Sequence, residues 1–107
     1  MVNLKNKMKN TITQEDVEML KIIAHPVRLQ IIIELIRLKR CNVKQLTEIL
    51  AVPQSTVSQH LSKMRGKILH AERKGLEIYY SITNLKAYEI VGFLGIKIGY
   101  GNVDSQF

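Results

Sequence analysis

The sequence predicts a mainly α-helical domain carrying one small β-hairpin. Apolar residues recur at helical intervals in four successive segments between Thr13 and Ile68, a period-two stretch follows Lys74-Gly75, and helical spacing returns after Asn84. At 107 residues the chain has room for a single modest core. No repeat, low-complexity tract or linker divides it.

Residues 1–12 mix Lys, Asn and isolated apolar residues without a period and read as a loose basic arm. Thr13 and Asp16 have the spacing of a capping box, and Val17, Leu20, Ile23 and Ala24 follow on one stripe of a first helix. Pro26 suits the opening turn of a second helix, because its missing N–H removes no bond there. Arg28 to Arg37 then runs unbroken, and Ile31, Ile32, Ile33, Leu35 and Ile36 leave so little polar face that this helix should be the central, buried one. After Lys39-Arg40, a short third helix gathers Val43, Leu46, Ile49 and Leu50 on one side and stops at Ala51-Val52-Pro53. A fourth helix starts at Pro53, with Gln54 or Ser55 near its cap. Val57, Leu61, Met64 and Ile68 form its core stripe, and Gly66 is placed to end or kink it.

The segment from Ile68 to Arg73 leads into Lys74-Gly75, after which Leu76, Ile78, Tyr80 and Ile82 alternate with Glu77, Tyr79 and Ser81 as in a hairpin. Asn84 caps a last helix bearing Ala87, Ile90, Val91, Leu94 and Ile98. Gly92 and Gly95 weaken that helix by about 1 kcal/mol each relative to Ala, so it needs a partner surface. Residues 99–107 read as a frayed tail, which leaves one domain over 13–98, expected to be homodimeric.

Sixteen Lys and Arg against nine Asp and Glu give a net charge of +7, which favours a polyanionic partner, either nucleic acid or an anionic membrane surface. No apolar run approaches the roughly 20 residues of a membrane span, and no large amphipathic moment in residues 1–10 favours the membrane surface. Lys5, Lys7 and Lys9 are followed by polar residues where a signal peptide has an apolar core. The single Cys41 allows no internal disulfide and fits a reducing compartment, so a cytoplasmic location is expected. Paired-carboxylate motifs, phosphate loops, nucleophile elbows and metal signatures are all missing, which argues against an enzyme.

The third helix, its tight connection and the fourth helix together read as a helix-turn-helix, and with the hairpin as a winged helix-turn-helix. Its second helix can enter the roughly 12 Å wide major groove of double-stranded DNA. Opposite the core stripe this helix presents Ser55, Gln59 and Ser62, flanked by Thr56, Ser58 and Lys63, with no acidic residue. Gln59 suits adenine, the hydroxyls suit base edges or phosphate, and Lys63 suits phosphate or guanine. Gln54, Ser55 and Thr56 also bring backbone N–H groups to the helix start, where anions bind. Arg73 and Lys74 at the hairpin tip can lie along the DNA backbone or reach the minor groove. The candidate DNA contacts are therefore Gln54, Ser55, Thr56, Ser58, Gln59, Lys63, Arg73 and Lys74. A solvated helix surface accounts for any one of them, and it is the combination that favours DNA. His60, at the edge of the core stripe, is expected to be a partly buried structural residue, with a phosphate contact as the alternative, and His25 a helix-start residue.

The runs Ala24-His25-Pro26-Val27-Arg28-Leu29, Gln54-Ser55-Thr56-Val57-Ser58-Gln59-His60-Leu61 and Arg73-Lys74-Gly75-Leu76-Glu77-Ile78-Tyr79-Tyr80 resemble the ArsR/SmtB family of winged-helix repressors. That resemblance implies a homodimer built from the first and last helices, binding an imperfect inverted repeat in a promoter and blocking transcription. Metal-responsive members carry a Cys-x-Cys pattern in the third helix, or His and acidic ligands on the last one. Here the equivalent thiolate positions are Asn42 and Lys44, and the last helix offers Glu89 without His or Asp, so neither a metal site nor a cofactor is expected. Cys41 is either a redox switch or an inert small apolar residue.

Overall fold

The computed structural model describes residues 11–95. Helix α1 (Gln14–Ile23) begins with the foreseen capping box: Thr13 Oγ1 accepts from the Asp16 amide at 3.0 Å, and Asp16 Oδ2 accepts from the Thr13 amide at 3.0 Å. Its buried face is rotated from the expected stripe. Met19 and Ile23 are buried, while Leu20 and Ala24 point outward. Helix α2 (Pro26–Leu38) opens on Pro26 after the N-cap His25 and buries Ile31, Ile32, Leu35 and Ile36 at the centre of the core.

The sequence pattern had not disclosed β1 (Cys41–Asn42). This two-residue strand pairs antiparallel with Tyr80 and Tyr79. Asn42 then serves as the N-cap of α3 (Val43–Leu50): its Oδ1 accepts from the Gln45 amide and Gln45 Oε1 accepts from the Asn42 amide, both at 2.8 Å. Leu46 is the wholly buried anchor of α3. Ala51 closes α3 in the left-handed region at φ 58, and its amide donates to the Thr47 carbonyl at 2.9 Å.

Helix α4 (Gln54–Met64) buries Val57, Leu61 and Met64 as expected and ends just before Gly66, so that Ile68, expected on the same helical stripe, falls outside the helix. Its N-cap is Pro53, with no side-chain cap bond, and the chain turns extended at Arg65 (ψ 134) before Gly66 takes a positive φ of 93. Lys67 and Ile68 therefore lie beyond the helix. Ile68 is still buried, delivered to the core by the turn, in which its amide donates to the Met64 carbonyl at 2.9 Å.

Strands β2 (Leu69–Lys74) and β3 (Glu77–Ile82) form the hairpin, joined by Gly75 and Leu76, with Lys74 paired to Glu77. Gly75 supplies the positive φ of 64 that the two-residue turn requires. β3 lies in the middle of the sheet, in the order β1-β3-β2, and Tyr80 is its buried residue. Helix α5 (Leu85–Gly95) starts where Asn84 Oδ1 accepts from the Ala87 amide at 3.0 Å, and it lays Ala87 and Val91 against α2. The position expected for Ile98, most of the basic arm and the tail lie outside the described residues.

Candidate nucleic-acid interface

Helix α4 presents two chemically opposed faces. The buried side is purely apolar. Outward it exposes Gln54, Ser55, Gln59, Ser62 and Lys63, with Thr56 and Ser58 half-buried at the margins, and none of its residues is acidic. Because Pro53 provides no side-chain acceptor, the first-turn N–H groups of α4 remain available to an incoming anion. The macrodipole adds partial positive charge at that end.

Arg73 and Lys74 stand exposed at the end of β2, opposite Ile78 and Glu77 across the hairpin. Among the described residues, the ion pairs are Arg37–Glu34, Arg40–Glu72, Lys67–Glu18 and Lys86–Asp16. Lys63, Arg73 and Lys74 thus have no acidic partner there. Six of the sequence-predicted contacts share one helix, and the other two lie on the hairpin that follows it. Arg65 was missed: it is exposed just past α4 and is likewise outside those ion pairs. The helix stop at Met64, which separates Arg65 from the helical wheel, hid it. Arg40 is occupied differently, with its guanidinium 5.0 Å from the Tyr79 ring centre and 4.0 Å from Glu72.

His60, on the flank of α4, is half-buried as expected. Its Nδ1 accepts from Arg28 Nε at 3.1 Å, and its ring lies 4.3 Å from that of His25. Burial first, then the neighbouring His25, Arg28 and Lys63, push its pKa below the ordinary imidazole value. The structure therefore keeps this imidazole neutral near pH 7.

Cys41 lies apart from this surface. It is wholly buried in β1, and burial, reinforced by Glu34 and partly opposed by Arg37, pushes its thiol pKa up. A reactive thiolate needs the reverse on both counts. Asn42, at one equivalent ligand position, spends its side chain on the α3 cap, and Lys44 is exposed. Among the described residues, no three His, Cys, Asp or Glu side chains gather as a metal cage. No helix there is long and apolar enough to cross a membrane.

Taken together, the helix-turn-helix, the hairpin beside it and the acid-free outer face define a winged helix-turn-helix protein. Residues 25–67 match the family described as bacterial regulatory protein, arsR family. The transcriptional repressor PagR of Bacillus anthracis is 53% identical over 89 residues, spanning 83% of this chain and 90% of that protein. A biofilm growth-associated repressor of Xylella fastidiosa is 31% identical over 104 residues, spanning 88% and 90%. The crystal structure of PagR superposes with a TM-score of 0.74, covering 77% of this chain and 94% of that one. The regulator HlyU of Vibrio vulnificus gives 0.73 at 28% identity, covering 86% and 94%. The chain belongs to the arsR family.

Proposed function

We propose that the chain is a sequence-specific, DNA-binding transcriptional repressor that acts in the cytoplasm as a homodimer. It occupies an inverted-repeat operator and needs neither metal nor cofactor. The observation that carries this reading is the outer face of α4, polar, free of acid and carrying a lysine with no acidic partner among the described residues, above a fully buried apolar stripe. Gln54, Ser55, Thr56, Ser58, Gln59 and Lys63 read the major groove, while Arg73 and Lys74 hold the flanking backbone or minor groove. The repressor relatives support the direction of control.

The dimer is assigned to α1 and α5. Leu20 on α1, and Leu85, Phe93 and Leu94 on α5, are exposed apolar residues that the other described residues do not cover. A twofold pairing there sets two α4 helices on half-sites about one DNA turn apart. The operating unit is residues 13–98, with 1–12 as a basic arm and 99–107 as a tail. Cys41 is assigned a structural role, since oxidising it requires β1 to open first.

A mobility shift against duplexes selected by the protein from a random-sequence pool tests the assignment. Gln59→Ala is expected to relax sequence preference at one position of each half-site. Lys63→Ala should weaken binding to all sequences alike and lower the salt slope by about 1 per protomer. Equal binding by both variants and the parent refutes the site. If no duplex binds even at low salt, the fold serves protein interaction instead.

A further inference from the structure

We propose that Arg28 is a positioning residue for the groove helix, tying the end of α1 to His60 of α4, and that this tie holds only while His60 Nδ1 is unprotonated. Its readout in operator affinity rests on the DNA-binding reading. The tie itself does not.

Arg28 sits half-buried in the first turn of α2 and spends two of its donors on different elements. Nη1 donates to the Ile22 carbonyl at 2.7 Å, in the last turn of α1, where helix carbonyls lack intrahelical partners. Nε donates to His60 Nδ1 at 3.1 Å, 32 residues further along the chain. Val57, Leu61 and Met64 hold α4 to the core through buried apolar contacts, which are non-directional. A directional bond on the helix flank adds an orientational restraint to them. Gln59, next in sequence to His60, is the first groove-facing side chain to feel it.

An Nδ1 that accepts a bond places the neutral proton of His60 on Nε2. Adding a second proton turns the acceptor into a donor facing a donor. The groups around it worsen the effect: Arg28 from α2 and Lys63 from α4 itself are cations, the His25 ring of the α2 cap stands beside it, and no carboxylate is among them. His25 cannot rotate away freely, because its own Nδ1 accepts from the Val27 amide at 3.1 Å as the cap of α2. With its folded pKa lowered, His60 binds fewer protons in the folded state than in the unfolded one. The stabilising contribution is thus complete above the ordinary imidazole value and is lost as pH falls through the lowered one.

Simple electrostatics predicts the opposite trend for affinity, since acidification adds positive charge beside a polyanion. The test is fluorescence anisotropy of the full chain on a duplex selected from a random pool, at constant ionic strength, from about pH 8 down to the pH at which nitrogen NMR shows the His60 ring protonated. The parent protein is expected to lose roughly three- to tenfold in affinity on acidification, the worth of one hydrogen bond. His60→Asn, whose amide oxygen can take the place of Nδ1 without titrating, should keep its affinity across the range. Parent binding that is flat or tightens in acid overturns the proposal, as does an equal acid loss in His60→Asn. Nitrogen NMR of the His60 ring gives a readout that needs no DNA. The Nε2–H tautomer is expected near neutral pH and should become a mixture in Arg28→Lys. The other tautomer in the parent protein, or no change in the variant, rejects the tie even if no duplex binds.

Discussion

The two exposed regions of this small protein differ in how complete they are. The outer face of α4 is polar above a closed apolar stripe, so the single chain already satisfies its hydrophobic demand there. On α5 the arrangement is reversed. Only Ala87 and Val91 are buried, while Phe93 is 85% exposed and Leu85 and Leu94 are each 68% exposed. The first surface is stable in water as it stands, whereas exposing the second costs free energy that another apolar surface would recover. The proposed binding face and the proposed assembly face thus differ in what each leaves unsatisfied.

The largest expected effect falls on the proposed assembly face. Phe93→Asp removes one large apolar contact from each copy of a twofold interface and is predicted to weaken self-association by about 3–6 kcal/mol. Sedimentation equilibrium reads this directly, and unchanged association would show that α5 is not the interface. Next, Leu61→Ala empties a fully buried site on the core side of α4 and should lower unfolding free energy by about 2–5 kcal/mol in urea titrations. A loss below about 1 kcal/mol would mean that the stripe is not what holds α4.

The smallest effect is at the junction of α1 and α5, where Lys86 Nζ donates to Asp16 Oδ1 at 2.8 Å. The Lys86 hydrogen bond first, then the Thr13 amide, holds the Asp16 carboxyl below its ordinary pKa. Its contribution is therefore present above the usual carboxylate value and disappears as pH falls through the lowered one. Lys86→Ala should move the acid limb of unfolding to higher pH. An unmoved limb would leave the ion pair without thermodynamic weight.

Local patterns made most of the fold legible. The Thr13 box, Pro26, the Val57-Leu61-Met64 stripe and the Asn84 cap are all encoded within a few residues of where they act. Misreadings arose where distant contacts decide. A two-residue strand has no period to detect, and β1 exists only because Tyr79 and Tyr80 arrive from almost 40 positions away to pair with it. Met19 displaces Leu20 from the buried face of α1 because α4 and α5 pack on that side, which one helical wheel does not specify. For the candidate site, residue types on α4 were readable from the sequence. The Arg28–His60 bond was not, since each residue taken alone looks like an ordinary helix-flank polar group.

Asn42 belongs to two elements at once: its backbone pairs with Tyr79 of the hairpin strand, and its side chain caps α3 of the helix-turn-helix. The hairpin and the first helix of the helix-turn-helix therefore share one residue, and α4 follows that helix across the short turn of residues 51–53. Under the proposed DNA-binding reading, this linkage limits how far the spacing between hairpin and α4 can adjust, so a site whose groove spacing is off by a fraction of a turn is expected to forfeit one contact to gain the other.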